Sequence, residues 1–170
     1  MDLSRVEVIV EIPKGSRNKY EMDHHSDAIW LDRHLFTATT YPADYGFFPN
    51  TLGGDGDPLD ALVLLYEPTF PGCHLWARPI GMFTMQDEAG EDAKVLCVPA
   101  GDERWENVQG LDDVDRHLMN EIRHFFEVYK DLEPNKSAEI GAWADVDEAK
   151  AEIQRCTLRA TEQLDGPHAT

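Results

Sequence analysis

Residues 53–65, GGDGDPLDALVLL, place three aspartates directly before an apolar run. Asp55, Asp57 and Asp60 fall within six residues, and the run that follows has the length and composition of a buried strand. An ordinary turn would explain this segment, since Gly and Asp are favoured where the backbone needs a positive φ. A site for hard cations would also explain it, because bound cations cancel the repulsion between like charges.

The ligand chemistry of this segment restricts which metals it could hold. Asp55 and Asp57 are two residues apart and share a face if the chain is extended. Carboxylate oxygens suit Mg²⁺, Mn²⁺ or Ca²⁺ rather than Zn²⁺. An EF-hand is excluded, because its sixth and twelfth positions need Gly and Glu, where this chain has Asp60 and Tyr66. Taken alone, the segment predicts a turn and a metal site equally well.

A second acidic segment, MQDEAGEDAKV, favours the metal site. One charged run of this kind is usually the exposed tip of a hairpin. Two of them at the same end of a barrel could instead hold several metal ions, which activate a shared water and neutralise a phosphoryl group. The carboxylates of this segment are those of Asp87, Glu88, Glu91 and Asp92.

Four cations lie close to aromatic or acidic residues along the chain, at Lys19, Arg33, Lys94 and Lys130. Each of them alone is explained as ordinary surface charge. Together with carboxylate-bound metals they predict a pocket for a highly charged anion, since Arg and Lys both bind phosphate oxygens. Tyr45 lies beside the first acidic segment, where its hydroxyl could donate to a phosphate oxygen or to a metal-bound water.

The histidines are less informative. His24 and His25 are adjacent at a predicted hairpin tip, so a surface role is favoured over metal ligation. His117 and His124 are seven residues apart on one face of a predicted helix, which suits a subunit contact better than catalysis.

Net charge and cysteine content exclude several classes of protein. The chain has 15 Lys and Arg against 33 Asp and Glu, a formal charge of −18, which argues against binding to nucleic acid or to anionic membranes. Its three cysteines form no CxxC pair, so neither a disulfide framework nor a zinc ribbon is expected. No signal-like or membrane-spanning segment is present. We expect one cytoplasmic domain, residues 1–170.

The periodicity of apolar residues predicts a mainly β (α+β) fold. Many short strands followed by two helices suggest a small barrel or curled sheet with helices packed on it. Asp145 and Glu148 form a capping-box pattern before the second helix. Strands are predicted at Val6–Ile12, at NKYEM and AIWLDR on either side of DHHSD, and at 61–66, 75–85 and 95–98, and helices at 111–129 and 146–160.

The two acidic segments belong to a longer ordered pattern, which consists of EIPKGSRNKYE, LDRHL, YPADYGF, DGDPLDA, RPIGMFTMQDEAGEDAK and HFFEVYKDLE. In content and order this pattern resembles the soluble family I inorganic pyrophosphatases, particularly the bacterial ones, over residues 6–143. The resemblance implies a five-stranded, OB-like closed barrel with two flanking α-helices. It also implies hydrolysis of pyrophosphate to two orthophosphates by a homohexamer with several Mg²⁺ ions per subunit, with Mn²⁺ or Zn²⁺ as substitutes and Ca²⁺ as an inhibitor.

Metal ligands follow from the resemblance by motif position. Asp55, Asp60 and Asp92 are expected to hold the first ion, and Asp60 bridges to a second. Asp87 and Asp92 bind an ion that enters with the substrate, and Glu11 helps to hold a further one.

The remaining matched residues are expected to act on water and phosphate. Asp57 orients or deprotonates the attacking water, and Glu21 and Glu88 complete an acidic wall. The phosphate-binding residues are Lys19, Arg33 and Tyr45, which also take part in catalysis, together with Lys94, Tyr129 and Lys130.

Two features are specific to this chain or to its assembly. Within DHHSD, Asp27 stands near a position where relatives have glycine, so it must tolerate a positive φ. His24 follows the KYE element closely enough to approach the site. His124 and Asp131, near the end of the first helix, are candidate contacts between subunits.

Two other functions are also compatible with the sequence. A metal-dependent phosphohydrolase of nucleotides would share the carboxylates but should add a pocket on which a base stacks. An OB-like Ca²⁺-binding module would bind metal without turnover, and it would leave the four cations unexplained.

Overall fold

The computed structural model describes residues 1–87 and 90–165, and this part of the chain contains eight strands and two α-helices. The elements are β1 (Val6–Ile12), β2 (Asn18–Asp23), β3 (Ala28–His34), β4 (Asp44–Phe47), β5 (Asp60–Val63), β6 (His74–Asp87), β7 (Gly90–Pro99), α1 (Arg116–Val128), β8 (Ala138–Ala144) and α2 (Val146–Asp165).

Five strands close into a barrel in the order β1, β4, β5, β7 and β6, with β6 pairing back onto β1. Within this ring β5 and β7 run parallel, while the other neighbouring pairs are antiparallel. The long strand β6 pairs with β1 near its start and with β8 near its end, so β8 extends the sheet beyond the ring. The expected five-stranded closed barrel with two flanking helices is confirmed.

Residues of β4 fix its place in the barrel. A Cβ atom at Gly46 would lie 1.9 Å from the carbonyl oxygen of Ile9 in β1, so only glycine permits this approach of the two strands. The buried carboxylate of Asp44 accepts hydrogen bonds from the Lys14 and Thr69 amides at 2.8 and 2.9 Å, and from the Thr69 hydroxyl. These bonds tie two loops to the start of β4, the strand that carries Tyr45.

The two helices cover different hydrophobic clusters. Ile122, Phe125 and Phe126 of α1 pack with one cluster of barrel residues. Ile153 and Cys156 of α2 pack with the other. Each helix therefore buries its apolar face against the barrel.

The first helix is shorter than its apolar periodicity predicts. Residues 111–113 form a 3-10 turn, and Val114 is extended. The carboxylate of Asp115 then accepts hydrogen bonds from the amides of His117 and Leu118, which starts α1 at Arg116. The carboxylate of Asp145 caps α2 in the same way, by accepting from the amides of Asp147 and Glu148.

The other predicted elements are mostly confirmed, with shifted bounds. β2 and β3 form the hairpin predicted on either side of DHHSD. Asp27 has a φ of 52°, as its place at the tip requires. Strands β4 and β8 were not predicted. No helix within the described residues is long and apolar enough to cross a bilayer.

Candidate active site

A cavity of about 440 Å³ lies where the β2–β3 hairpin and the end of α1 meet the barrel. Every predicted site residue that the structure describes lines it, whereas Glu88 lies outside the described residues. Those lining residues are Glu11, Lys19, Glu21, Arg33, Tyr45, Asp55, Asp57, Asp60, Asp87, Asp92, Lys94, Tyr129 and Lys130.

Strand register explains why residues so far apart in sequence meet here. The parallel pairing of β5 with β7 places Asp60 opposite Lys94. The antiparallel pairing of β6 with β7 places Asp92 opposite Met85, two residues before Asp87. The starts of β5 and β7 and the end of β6 therefore deliver three of the predicted carboxylates and one cation to the same cavity.

Lys94 is the most buried cation of the cavity, with a side chain only 3% exposed. Its Nζ atom lies 2.6 Å from Asp60 Oδ2 and 2.7 Å from Asp92 Oδ2, and it donates to the Tyr45 hydroxyl at 2.8 Å. The Tyr45 hydroxyl in turn donates to Asp60. Burial alone would lower the pKa of Lys94, but the two carboxylates outweigh burial and raise that pKa above its usual value.

Three acidic side chains of the cavity have a pKa above the ordinary value, chiefly because the charged form is partly removed from water. Burial raises the pKa of Glu11 to about 7, against the hydrogen bond that it accepts from the Met22 amide. Burial also raises the pKa of Asp92 to about 6, and the nearby Asp60 adds to this effect while Lys94 opposes it. Partial desolvation at the cavity wall, together with the charge of Asp55, raises the pKa of Asp57 although much of its side chain is exposed. A site of this kind stabilises added positive charge.

The acidic loop, residues 52–59, is both a turn and a wall of the cavity. The amide of Gly53 donates to the Asp57 carbonyl at 2.6 Å, and the amide of Asp57 donates to the Asp55 carboxylate at 3.1 Å. Gly56 has a φ of 95°, a conformation that favours glycine. Asp55 and Asp57 are both exposed at the cavity. The turn explanation and the cation-site explanation are therefore compatible.

Each predicted phosphate-binding cation is paired with a carboxylate. Lys130 Nζ lies 2.9 Å from Asp87 Oδ2. Lys19 forms ion pairs with Glu21 and with Asp32, the latter at 3.3 Å. The cavity therefore alternates positive and negative groups, an arrangement that suits a polyanion bound together with cations.

The guanidinium of Arg33 is held from both sides. Its Nε and Nη2 atoms donate to the two carboxylate oxygens of Glu133 at 2.9 and 3.1 Å, and its Nη1 atom donates to Asp32. The side chain of Glu133 is only 3% exposed. A bidentate pair of this kind fixes the plane of the guanidinium as well as its position.

Sequence reasoning missed several residues that line or support the cavity. Asp32 and Lys136 line it and Glu133 holds Arg33. Asp32 lies within the matched motif LDRHL and Glu133 ends the matched motif HFFEVYKDLE, which was the available signal, and Lys136 follows that motif by three residues. His24 also lines the cavity, and its ring packs edge-on against Phe47 with centroids 5.0 Å apart. The sequence allowed His24 to approach the site, and the structure places it there.

A larger groove, about 850 Å³, lies between the start of α1 and the start of α2. It is lined mainly by apolar residues such as Leu111, Met119 and Trp143, and no predicted site residue lines it. Convergent charge rather than volume identifies the candidate site in this molecule.

Comparison with known proteins agrees with the motif pattern. The family model of inorganic pyrophosphatase matches residues 8–161. The chain belongs to the inorganic pyrophosphatase family. The inorganic pyrophosphatase of Streptomyces coelicolor is 60% identical over 157 residues, which cover 92% of this chain and 96% of that protein. That of Leifsonia xyli is 54% identical, over 89% of this chain and 93% of that protein.

Solved inorganic pyrophosphatases share the fold over nearly the whole chain. The Helicobacter pylori structure superposes with a TM-score of 0.92 at 41% identity, covering 94% of this chain and 95% of that one. The Thermus thermophilus structure gives a TM-score of 0.90 at 45% identity, covering 93% of this chain and 92% of that one.

Membership of the inorganic pyrophosphatase family implies a divalent metal cofactor. The donor set fits such a cofactor, because oxygen atoms of several carboxylates line one cavity and three of these acids have a raised pKa. As the side chains stand, no three His, Cys, Asp or Glu residues within 1–87 and 90–165 converge on one ion position. Lys94 Nζ instead lies between Asp60 and Asp92, two of the predicted ligands of the first ion.

Proposed function

We propose that this chain hydrolyses inorganic pyrophosphate to two orthophosphates at the 440 Å³ cavity, with Mg²⁺ as its cofactor. The observation that carries the proposal is the meeting, in one cavity, of many carboxylates and of cations paired with some of them, where burial raises the pKa of Glu11 and Asp92. Family membership supports the reaction. The all-oxygen donor set supports Mg²⁺. Family resemblance, rather than the donor set, is the ground for Mn²⁺ or Zn²⁺ as substitutes and for Ca²⁺ as an inhibitor.

Five carboxylates would hold the metal ions. Asp55, Asp60 and Asp92 would hold the first, Asp60 would also contribute to a second, Asp87 and Asp92 would hold one that accompanies the substrate, and Glu11 would contribute to a further one. Bound divalent ions lower the pKa of water and neutralise charge on the phosphoryl groups. Glu21, exposed at the rim, and Glu88 would complete the acidic wall.

Asp57 would orient the attacking water and accept its proton. Its carboxylate lines the cavity, and its pKa is raised, which suits a proton acceptor better than an ordinary aspartate does. The amide of Asp57 is fixed on the Asp55 carboxylate, so the loop itself sets the orientation of this residue.

The cations and two tyrosines would bind and orient the phosphates. Lysine and arginine neutralise the charge of the departing phosphate, so no covalent intermediate is needed. Tyr45 keeps its proton, because burial raises its pKa well above the usual value, and its hydroxyl can therefore donate. The phosphate-binding set is Lys19, Arg33, Tyr45, Lys94, Tyr129 and Lys130, of which the first three also act in catalysis.

Phosphate release from pyrophosphate under Mg²⁺ tests the reaction, and the same assay with ATP distinguishes it from nucleotide hydrolysis. We expect pyrophosphate to be strongly preferred. Faster release from ATP would favour a nucleotide phosphohydrolase, and metal binding without any release would favour a Ca²⁺-binding module.

Asp57→Asn tests the proton acceptor within that reaction. We expect kcat to fall about 100-fold or more, the usual contribution of a general base. Asp112→Asn, at an exposed carboxylate outside this cavity, is the matched control and should leave kcat unchanged. Full activity of the Asp57 variant would contradict the role of that residue alone, whereas an inactive wild-type chain would contradict the function.

We further propose a single domain that assembles as a homohexamer in the cytoplasm. His124 and Asp131 are both exposed near the end of α1, where a partner subunit could reach them. A histidine that pairs with an aspartate across an interface makes assembly sensitive to pH. Light scattering at pH 5 and pH 8 should give different assembly sizes, and equal sizes would contradict a contact between these two residues.

A further inference from the structure

Helix α2 lies behind the acidic loop and binds the residue from which that loop departs. The amide of Leu52 donates to the carbonyl oxygen of Cys156 at 3.0 Å. The carbonyl oxygen of Leu52 accepts a hydrogen bond from Arg159 Nη1 at 2.7 Å. Both backbone polar groups of this one loop residue are thus satisfied by the last part of α2.

The guanidinium of Arg159 is committed to this contact. Within residues 1–87 and 90–165 it forms no ion pair, and its other polar neighbour is the Cys156 sulfur at 4.0 Å. Arg155, one helical turn earlier, differs in this respect, because it forms ion pairs with Glu148 and Glu152 at 2.8 and 2.6 Å. Two arginines on the same helix therefore have different partners, and only one of them holds the loop.

The loop needs an external support at Leu52. At its far side, the Leu59 amide donates to the Thr51 hydroxyl at 2.9 Å, which closes the loop at its base. Between these points the hydrogen bonds described for residues 53–57 run within the loop itself, such as the one from the Gly53 amide to the Asp57 carbonyl. The direction of the loop relative to the barrel therefore depends on how its base is held.

Space behind the loop allows it to move if that support is lost. A cavity of about 330 Å³ separates the loop from α2, and Gly53 and Pro58 line one side of it while Arg155 and Arg159 line the other. Closing this space would carry the predicted ligand Asp55 and the predicted proton acceptor Asp57 away from the 440 Å³ cavity.

We propose that Arg159 is a positioning residue, which fixes the acidic loop through Leu52 and so sets the places of Asp55 and Asp57. This inference rests on the proposed function for the roles of those two aspartates. It assigns to α2, outside the cavity, a part in metal binding.

Arg159→Gln, with Arg155→Gln as the matched control, tests this role. The first measurement is Mg²⁺ binding by titration calorimetry without substrate. We expect Arg159→Gln to weaken Mg²⁺ binding about tenfold, the effect of losing one hydrogen bond to a charged group. Arg155→Gln, which loses an exposed ion pair with Glu148 and a half-buried one with Glu152, should bind Mg²⁺ like the wild type, because neither pair touches the loop.

Two further measurements separate positioning from a general loss of stability. Hydrogen exchange at the Leu52 and Gly53 amides should accelerate in Arg159→Gln and stay unchanged in Arg155→Gln. In the pyrophosphate assay, kcat should fall about tenfold while KM at saturating Mg²⁺ changes less than about twofold. Arg159→Lys, which keeps one charged donor, should recover part of the Mg²⁺ affinity, and it replaces the Gln variant if that variant does not fold.

The proposal is overturned if both Gln variants bind Mg²⁺ equally well, or if the Leu52 amide exchanges faster with no change in Mg²⁺ affinity. An inactive wild-type chain would contradict the proposed function, yet the binding and exchange measurements would still decide the role of Arg159.

Discussion

Replacing Lys94 by methionine should destabilise the metal-free protein far more than the Mg²⁺-bound one. The Lys94 ammonium lies within 2.7 Å of both Asp60 and Asp92, and its side chain is almost fully buried. Methionine fills a similar volume but leaves the two carboxylates facing each other without a cation. Because bound Mg²⁺ would supply positive charge to the same carboxylates, the metal should replace much of what lysine contributes.

The magnitude follows from the burial of the three groups. Side-chain exposures of 3% for Lys94, 21% for Asp60 and 20% for Asp92 place the cluster away from bulk solvent. Removing one partner of a buried ion pair costs about 3 to 5 kcal/mol, because the remaining charge is left uncompensated. We therefore expect the free energy of unfolding to fall by about 3 to 4 kcal/mol in chelator, and by about 1 kcal/mol in millimolar Mg²⁺.

Urea unfolding at pH 8 and one fixed protein concentration measures both values. The wild type and the variant are compared in chelator and in Mg²⁺, and Lys14→Met, at an exposed side chain, serves as the control. A loss below about 1 kcal/mol in chelator would show that the ion cluster is not needed. A loss of equal size with and without Mg²⁺ would refute the idea that lysine and metal neutralise the same carboxylates.

Three further changes test other contacts. Glu133→Gln removes one of the two charge-assisted hydrogen bonds that Glu133 accepts from Arg33. We therefore expect kcat/KM for pyrophosphate to fall about tenfold in steady-state assays. An unchanged kcat/KM would mean that Arg33 needs no such support. Asp44→Asn leaves a buried donor without an acceptor, so the free energy of unfolding measured in urea should fall by about 2 to 4 kcal/mol. A loss under about 1 kcal/mol would contradict this expectation. Gly46→Ala forces a methyl group against the Ile9 carbonyl, so its melting temperature should drop by roughly 10 °C or more, and a drop of a degree or two would show that β1 can move aside.

Sequence patterns predicted the strands and turns that depend mainly on neighbouring residues. The alternation of Val6–Ile12 and the turn at DHHSD both produced the expected strands. Strand β4 was missed because it is only four residues long and is held by its pairing with β1 and β5. Strand β8 was missed because its residues alternate weakly, and because it becomes a strand by pairing with the end of β6. The start of α1 was misplaced because apolar spacing runs through Asp115, whose carboxylate caps the helix there.

The candidate site was predictable in membership but not in geometry. Motif order identified the residues that line the cavity. No sequence pattern places Lys94 between Asp60 and Asp92, because that contact depends on a parallel pairing of distant strands. The support of Arg33 by Glu133 joins residues 100 positions apart, and a single sequence carries no signal for such a pair.

The closure of the barrel by β1 and β6 also constrains how the protein can fold. Val6 pairs with Ala77, so closing the barrel brings together two strands that are separated by about seventy residues of intervening chain. Contacts of such high sequence separation form slowly, and they tend to come late. Strand β1 also carries Glu11, which lines the cavity. We therefore expect catalytic activity to return during refolding only when the barrel closes. That return should come later than the formation of the β2–β3 hairpin and of α1.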